Sequence, residues 1–259
     1  AYVLKQYTDA KKLGMLATFD QEMMLRIMSD EDRLINDSDI RWYKIKNVLD
    51  NRGAFNFYIT TDFATSAQEA SDFSVISVWA INNNGDWYWV DGIVERQTMD
   101  KNIDELFRLS QKYKPQGVGV EVSGQQAGFI PWIQDQMMVR NIYFTLASES
   151  NKNSPGIRPV TNKLARFNVV VPLFKMGKMY FPDEKRHEKA MLECMNELEL
   201  ASRGGFRSKK DDFIDTISML ASMTAWKPSE TADMTKDKND LWSMDEGDQE
   251  PDALASYIV

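Results

Sequence analysis

Phe55–Thr61 (FNFYITT), Phe73–Ile81 (FSVISVWAI) and Trp87–Val94 (WYWVDGIV) decide the fold, the last two joined by Asn82–Gly85 (NNNG). β-Branched and aromatic residues dominate each run, and Asn-Asn-Gly is strong turn chemistry. They predict an antiparallel three-strand meander. The period then changes. Lys101–Lys114 puts Ile103, Leu106, Phe107 and Leu109 on one face of a helix that ends before Pro115. Gly117–Val122 (GVGVEV) reads as a short apolar strand carrying Glu121, Gln125–Val139 as a helix broken at Pro131, and Ile142–Leu146 as another short strand. Three strands, helix, strand, helix, strand predicts an α/β mixed sheet, antiparallel on one side and parallel on the other. Downstream, Val160–Phe167 reads as a short helix. Val169–Phe174 and Lys178–Phe181 read as a hairpin turning at Met176-Gly177. Glu184–Leu200 reads as a helix. Asp211–Ala225 is a last helix, with Phe213, Ile214, Ile217, Leu220 and Ala221 on one face.

Working outward, residues 1–50 are polar and charge-dense, with helix-like stretches such as Gln21–Met28, a loop at Asn36–Asp39 (NDSD) and no core-forming strand pattern. They are read as a linker or the remnant of a preceding domain. The folded domain is expected over 51–228. After Pro228 the chain is acidic and aperiodic, so 229–259 is expected to be a disordered tail.

The 259 residues are 43% hydrophobic and 27% charged, enough apolar content for a core. One cysteine, Cys194, excludes a disulfide framework and a Cys-rich zinc site. One histidine, His187, excludes a His-triad metal site and argues against a Ser-His-Asp mechanism. No apolar run approaches the ~20 residues that span a bilayer. The N-terminal AYVLKQYTDAKKLG lacks a signal peptide's apolar stretch. A soluble, reducing, intracellular setting is expected, and no membrane partner. The chain begins at Ala1 without methionine, in keeping with a piece of something longer.

The net charge of −8 argues against nucleic acid until its distribution is read. Residues 229–259 hold nine acids and two lysines, so the remainder carries 29 bases against 30 acids. Residues 150–182 hold Lys152, Arg158, Lys163, Arg166, Lys175 and Lys178 and no acid. An acidic tail thus masks a basic stretch suited to tracking phosphates.

Three acidic positions stand out. Asp62 ends the first strand, Glu121 sits between Val120 and Val122, and Asp211, Asp212 and Asp215 cluster at the start of the last helix. An acid in an apolar strand is costly unless paired or bound to a cation. Three such acids converging on one sheet edge would hold hard divalent ions, and two ions ~3.5–4 Å apart suit phosphodiester cleavage. Each acid also has a plainer reading: Asp62 as a turn residue, Glu121 as an exposed edge-strand residue, Asp211 as a helix cap in a Ser208-x-x-Asp211 capping box. Asp212, ~100° further round the helix, need not serve the cap and is the preferred ligand. Asp215 is the second choice.

These motifs resemble the nuclease domain of the large terminase subunit of tailed bacteriophages. The resemblance rests on ITTDFA (Ile59–Ala64) with DFSVISVWAI (Asp72–Ile81), on GVGVEVSGQQ (Gly117–Gln126), and on KKDDFIDTISMLA (Lys209–Ala221). It implies a ribonuclease-H-like fold and an endonuclease, using two Mg²⁺ or Mn²⁺ ions, that cuts concatemeric viral DNA during packaging. Asp62, Glu121 and Asp212 match the metal-binding carboxylates, with Asp211 and Asp215 close by. Lys163, Arg166, Lys175 and Lys178 would contact double-stranded DNA. The resemblance further implies a small terminase subunit and a portal ring as partners, an ATPase domain in the full-length chain, and action in the host cytoplasm during virion assembly. No G-x-x-x-x-G-K-[ST] phosphate loop occurs in these 259 residues.

Two rival readings stand beside this one: another ribonuclease-H-like nuclease such as a junction resolvase, and a non-catalytic module docking DNA or portal. Trp87 and Trp89, in register on one strand face, read as packing residues, His187 as an exposed helix residue and Cys194 as an inert thiol. Asp72 reads as a loop residue or an outer neighbour of the metals.

Overall fold

The computed structural model describes residues 2–13, 15, 32–64, 73–122, 128–152, 154–208 and 210–229. Asp72, the Gln21–Met28 stretch, Gln125 and the tail beyond Ser229 lie outside them.

A six-stranded mixed sheet of β1 (Arg41–Tyr43), β2 (Asn56–Asp62), β3 (Ser74–Ile81), β4 (Trp87–Glu95), β5 (Gly117–Val120) and β8 (Met179–Pro182) organises the chain, in the order β1-β8-β4-β3-β2-β5, while β6 (Ser148–Glu149) and β7 (Gly156–Ile157) pair with each other. The meander is present as β2 (Asn56–Asp62), β3 (Ser74–Ile81) and β4 (Trp87–Glu95), paired antiparallel. At one edge β5 (Gly117–Val120) runs parallel to β2. At the other, β8 (Met179–Pro182) runs parallel to both β4 and β1 (Arg41–Tyr43). The expected mixed sheet is therefore observed.

Helices cover both faces. In chain order the described α-helices are α1 (Tyr2–Leu13), α2 (Ile45–Leu49), α3 (Met99–Tyr113), α4 (Phe129–Arg140), α5 (Lys163–Lys175), α6 (Lys189–Glu199) and α7 (Asp212–Met219). Strand alternation splits the core in two. Phe57, Ile59, Ile76, Val78, Val118 and Val120 pack with Ile103, Leu106 and Phe107 of α3 and Ile133 of α4. Tyr58, Val75, Trp79 and Trp89 pack with Phe167, Val170 and Phe174 of α5, Met191 and Cys194 of α6, and Phe213, Ile214 and Ile217 of α7. The two tryptophans Trp87 and Trp89 are core residues, as their register implied. Cys194 is a buried free thiol and His187 is exposed.

Four local expectations are corrected. Residues 1–50 do contribute a strand: β1 pairs with β8, and Ile35 and Val48 are buried in the core. The expected hairpin of Val169–Phe174 with Lys178–Phe181 is absent, because the chain stays helical from Lys163 to Lys175. Asn162 caps α5, its side-chain oxygen accepting from the Ala165 amide at 2.8 Å, and Phe167, Val170 and Phe174 fall on the sheet-facing side at helical spacing. Helical periodicity thus outweighs the β-propensity of the Val169-Val170-Val171 run. The expected strand Ile142–Leu146 reduces to one parallel bridge from Leu146 to Val118. The helix read over Glu184–Leu200 begins at Lys189, after a 3-10 turn over Asp183–Lys185.

Candidate active site

Strand alternation aims two of the acids. On β2, Tyr58 faces the α5–α7 side, so Thr60 and Asp62 face it too. On β5, Val118 and Val120 face the opposite layer, which leaves Gly119 and Glu121 facing α7. A Cβ on Gly119 would lie 2.8 Å from the Met219 sulfur and 2.9 Å from the Ile157 Cδ1, so any side chain there would have to displace both from between β5 and α7. Glu121 lies just past β5, bridged in parallel to Ile157. β2 and β5 run parallel, so both acids sit at the same end of the sheet.

Helix α7 brings the rest. It is buried along its whole length, including Asp212 and Asp215. The Asp215 carboxylate accepts from Arg166 Nη2 at 3.0 Å and pairs with Lys163 Nζ at 2.7 Å. The same guanidinium donates from Nη1 to Glu121 Oε2 at 3.2 Å. Lys163 also donates to Asp211 Oδ1 at 2.7 Å. One Arg and one Lys on the first turn of α5 thus tie Glu121, Asp211 and Asp215 together. Asp212 is differently placed, its Oδ2 accepting from the Phe73 amide at 2.9 Å beside the start of β3.

Asp62 has a perturbed carboxyl. Burial pushes its carboxyl well above the ordinary range, and the charges of Glu121, Asp215 and Asp212 push it further, with Lys163 opposing. Asp215 is raised as well, mainly by burial, despite Lys163 and Arg166. Asp62 therefore feels the charges of the other three acids at one end of the sheet.

The expected capping box is not formed. Asp211 makes no side-chain cap on α7, and Ser208 Oγ instead accepts from the Lys210 amide at 3.2 Å. The α7 N-terminus is held by Glu197 of α6, whose Oε2 accepts from the Ile214 amide at 2.9 Å. Glu197 was missed from sequence. A signal existed: Glu193 and Glu197 occupy the same helix face as Ala190, Cys194 and Leu198, all of them buried.

The four basic candidates separate. Lys163 and Arg166 belong to the acid cluster. Lys175 pairs with Asp39, while Lys178 donates to Asp86 at 3.1 Å and to the Asn84 carbonyl at 2.9 Å, in the β3–β4 turn. That turn neighbours the start of β2, roughly 20 Å along the strand from Asp62. A second basic group, missed from sequence, lies at the acid end. Arg96, Lys189 and Lys210 converge on the Phe73 ring at 4.2, 5.5 and 5.6 Å from its centroid.

Among the described residues, no group of three or more His, Cys, Asp or Glu is arranged as a ready-made metal cage. Arg166 and Lys163 occupy oxygens of Glu121, Asp211 and Asp215. The donor set itself, carboxylates of which Asp212 and Asp215 are buried and Asp62 and Glu121 half-buried, fits a hard divalent cation. Among the described residues, no helix is long and apolar enough to cross a membrane.

No protein-family model matches the chain. No curated protein matches it either. Solved structures do. The human cytomegalovirus terminase nuclease domain, soaked with manganese and bound to an inhibitor, is similar at 12% identity with a TM-score of 0.50, covering 73% of this chain and 93% of that one. The large terminase nuclease of the thermophilic phage G20c with bound magnesium is similar at 15% identity and a TM-score of 0.46, covering 74% and 97%. The likeness is one of fold: this chain has the ribonuclease-H-like architecture of terminase large-subunit nuclease domains.

Proposed function

We propose that the chain is a divalent-metal-dependent endonuclease that cuts concatemeric viral DNA during genome packaging. The observation that carries this reading is the convergence of Asp62, Glu121, Asp212 and Asp215 on one end of a ribonuclease-H-like sheet, where they raise the Asp62 carboxyl together. Two Mg²⁺ or Mn²⁺ ions held there would supply Lewis acidity toward a phosphodiester and the attacking water. Asp62, Glu121 and an α7 aspartate would hold the ions. Arg166 and Lys163, now on the acids, would turn to the phosphate oxygens once those acids are engaged. Cleavage of linear DNA with Mn²⁺ but not with EDTA tests the proposal.

Both Asp212 and Asp215 are candidates for the α7 ligand. Asp215 has the stronger geometric case, because it shares Arg166 with Glu121 while Asp212 is engaged by the Phe73 amide. Asp215→Asn is therefore expected to lower the cleavage rate ~100-fold or more. Asp212→Asn, which keeps an acceptor for Phe73, is expected to cost about tenfold. Single-turnover cleavage rates of the two variants check this, and the reverse ranking would restore Asp212 as the ligand.

Duplex DNA would lie across the acid end, where Lys163, Arg166, Arg96, Lys189 and Lys210 cluster. Phosphate contacts fix position without reading sequence, so cutting should be weakly sequence-specific. Replacing Arg96, Lys189 and Lys210 with Ala is expected to weaken DNA binding in Ca²⁺ for all sequences. The salt slope should flatten by roughly 0.9 per lost phosphate contact. Replacing Lys175 and Lys178 is expected to change it less, since both lie at the far end of the sheet. Titrations at several salt concentrations decide between the two groups. A small terminase subunit, a portal ring and an ATPase domain of the full-length chain complete the proposal as partners, with action in the host cytoplasm during virion assembly.

A further inference from the structure

Helix α7 carries two acids, Asp212 and Asp215, in its first turn, yet its own N-cap residue does not cap it. Asp211, the N-cap, sends its carboxylate to Lys163 at 2.7 Å instead. An uncapped helix start leaves orphan amides and frays. Glu197 reaches in from α6 and accepts from the Ile214 amide at 2.9 Å, with the Phe213 amide also directed at it. Glu197 is 1% exposed, and its second oxygen, Oε1, has no partner among the described residues. Neighbouring Asn196, at 3% exposure, likewise leaves both side-chain polar atoms without partners there. Burying a carboxyl with one oxygen unused is expensive.

We infer that Glu197 is a positioning residue for the metal-holding acids: its carboxyl fixes the first turn of α7, so that Asp211 is released to Lys163 while Asp212 and Asp215 stay aimed at Asp62 and Glu121. The inference rests on the proposed metal-dependent function. Glu197 touches neither substrate nor metal and acts through backbone amides of residues 213 and 214. What it must supply is an acceptor oxygen at that depth. Neither its charge nor its acidity is required.

This gives a discriminating variant set in the full chain. Glu197→Gln keeps the acceptor at the same reach. Glu197→Asp keeps the charge but shortens the arm by one methylene. Glu197→Ala removes both. Two measurements are made on each. Hydrogen exchange without metal reads the Phe213 and Ile214 amides, and Mn²⁺ titration followed by electron paramagnetic resonance reads metal affinity. The Gln variant is expected to match wild type within about twofold in both. The Asp and Ala variants are expected to exchange faster at those amides and to bind Mn²⁺ roughly 10–100-fold more weakly, the range seen when residues that orient metal ligands are removed. If Ala fails to fold, Asp and Gln carry the comparison.

Unchanged exchange at Phe213 and Ile214 in the Asp variant would overturn the cap. Faster exchange with unchanged Mn²⁺ affinity would overturn the positioning role and leave Glu197 as a structural cap. A Gln variant as weak as Ala would show that charge matters and the acceptor does not, which also overturns it. Wild-type protein that binds no Mn²⁺ would instead overturn the metal-dependent reading, and with it the positioning role, while the exchange data still judge the cap.

Discussion

Asp62→Asn is expected to lower DNA cleavage by ~10³-fold or more while making the protein more stable at neutral pH. The first half follows from the proposed function, in which Asp62, crowded by Glu121 and the α7 acids, helps to hold the divalent cations. The second half follows from its environment. Burial, then the charges of Glu121, Asp215 and Asp212, raise the carboxyl well above the ordinary range. The folded protein therefore holds this proton to higher pH than the unfolded chain does. Stability falls as pH rises from the unfolded value through the folded one. Asparagine keeps the shape and removes that cost. The melting temperature of the variant should exceed that of wild type at pH 7, and the two should converge near ~pH 3, where both states are protonated. Melting curves at the two pH values, with cleavage assays alongside, check both halves. A variant that is inactive but less stable at pH 7 would mean that Asp62 is held mainly by attractive contacts.

The second large effect lies away from the site and has the opposite sign. Asp91 of β4 accepts from Lys112 at 2.8 Å and from the Tyr113 hydroxyl at 2.8 Å, both on α3, and pairs with Lys185 at 3.3 Å. Burial alone would raise its carboxyl, but the Lys112 hydrogen bond, the Lys185 charge and the Tyr113 hydroxyl outweigh burial and bring it down to about 2. A lowered folded value gives stability that is present above the unfolded value and lost as pH falls through the folded one. Asp91→Asn is expected to cost about 2 kcal/mol at neutral pH. That difference should shrink between about pH 4 and pH 2. Urea unfolding across that range measures it. A pH-independent difference would mean that lost packing matters more than charge. Cleavage by the folded variant should stay near wild type, since Asp91 belongs to none of the acid-end contacts.

The two effects show why some of the molecule was legible in sequence and some was not. The meander could be read because β2, β3 and β4 are long, β-branched and joined in part by Asn82–Gly85, so local propensity and global pairing agree. Helix α3 could be read because Ile103, Leu106 and Phe107 recur at helical spacing and Pro115 follows its end. β1 could not. Three residues, Arg41-Trp42-Tyr43, carry too little pattern, and their partner β8 is more than 130 residues away in the chain. Helix α5 was misread because Val169, Val170 and Val171 favour strands locally, while the sheet face waiting for Phe167, Val170 and Phe174 favours a helix. At the candidate site the acids themselves were visible, since an Asp or Glu in an apolar run is conspicuous. Their arrangement was not. Which α7 acid faces Glu121 depends on Arg166 and Lys163, and what holds the α7 start depends on Glu197, contacts that only the tertiary fold creates. The expectation that Lys175 and Lys178 lie near the site followed from the same error over α5, because a hairpin would have returned them toward it.

Endonuclease activity on duplex DNA tests the central claim most directly. Purified chain should convert supercoiled plasmid to nicked and linear forms with Mn²⁺ or Mg²⁺, show no cleavage in EDTA, and lose the activity with Asp62→Asn. Cleavage that persists in EDTA, or a folded wild-type chain that binds DNA and leaves it intact across the Mn²⁺ and Mg²⁺ range, would contradict it.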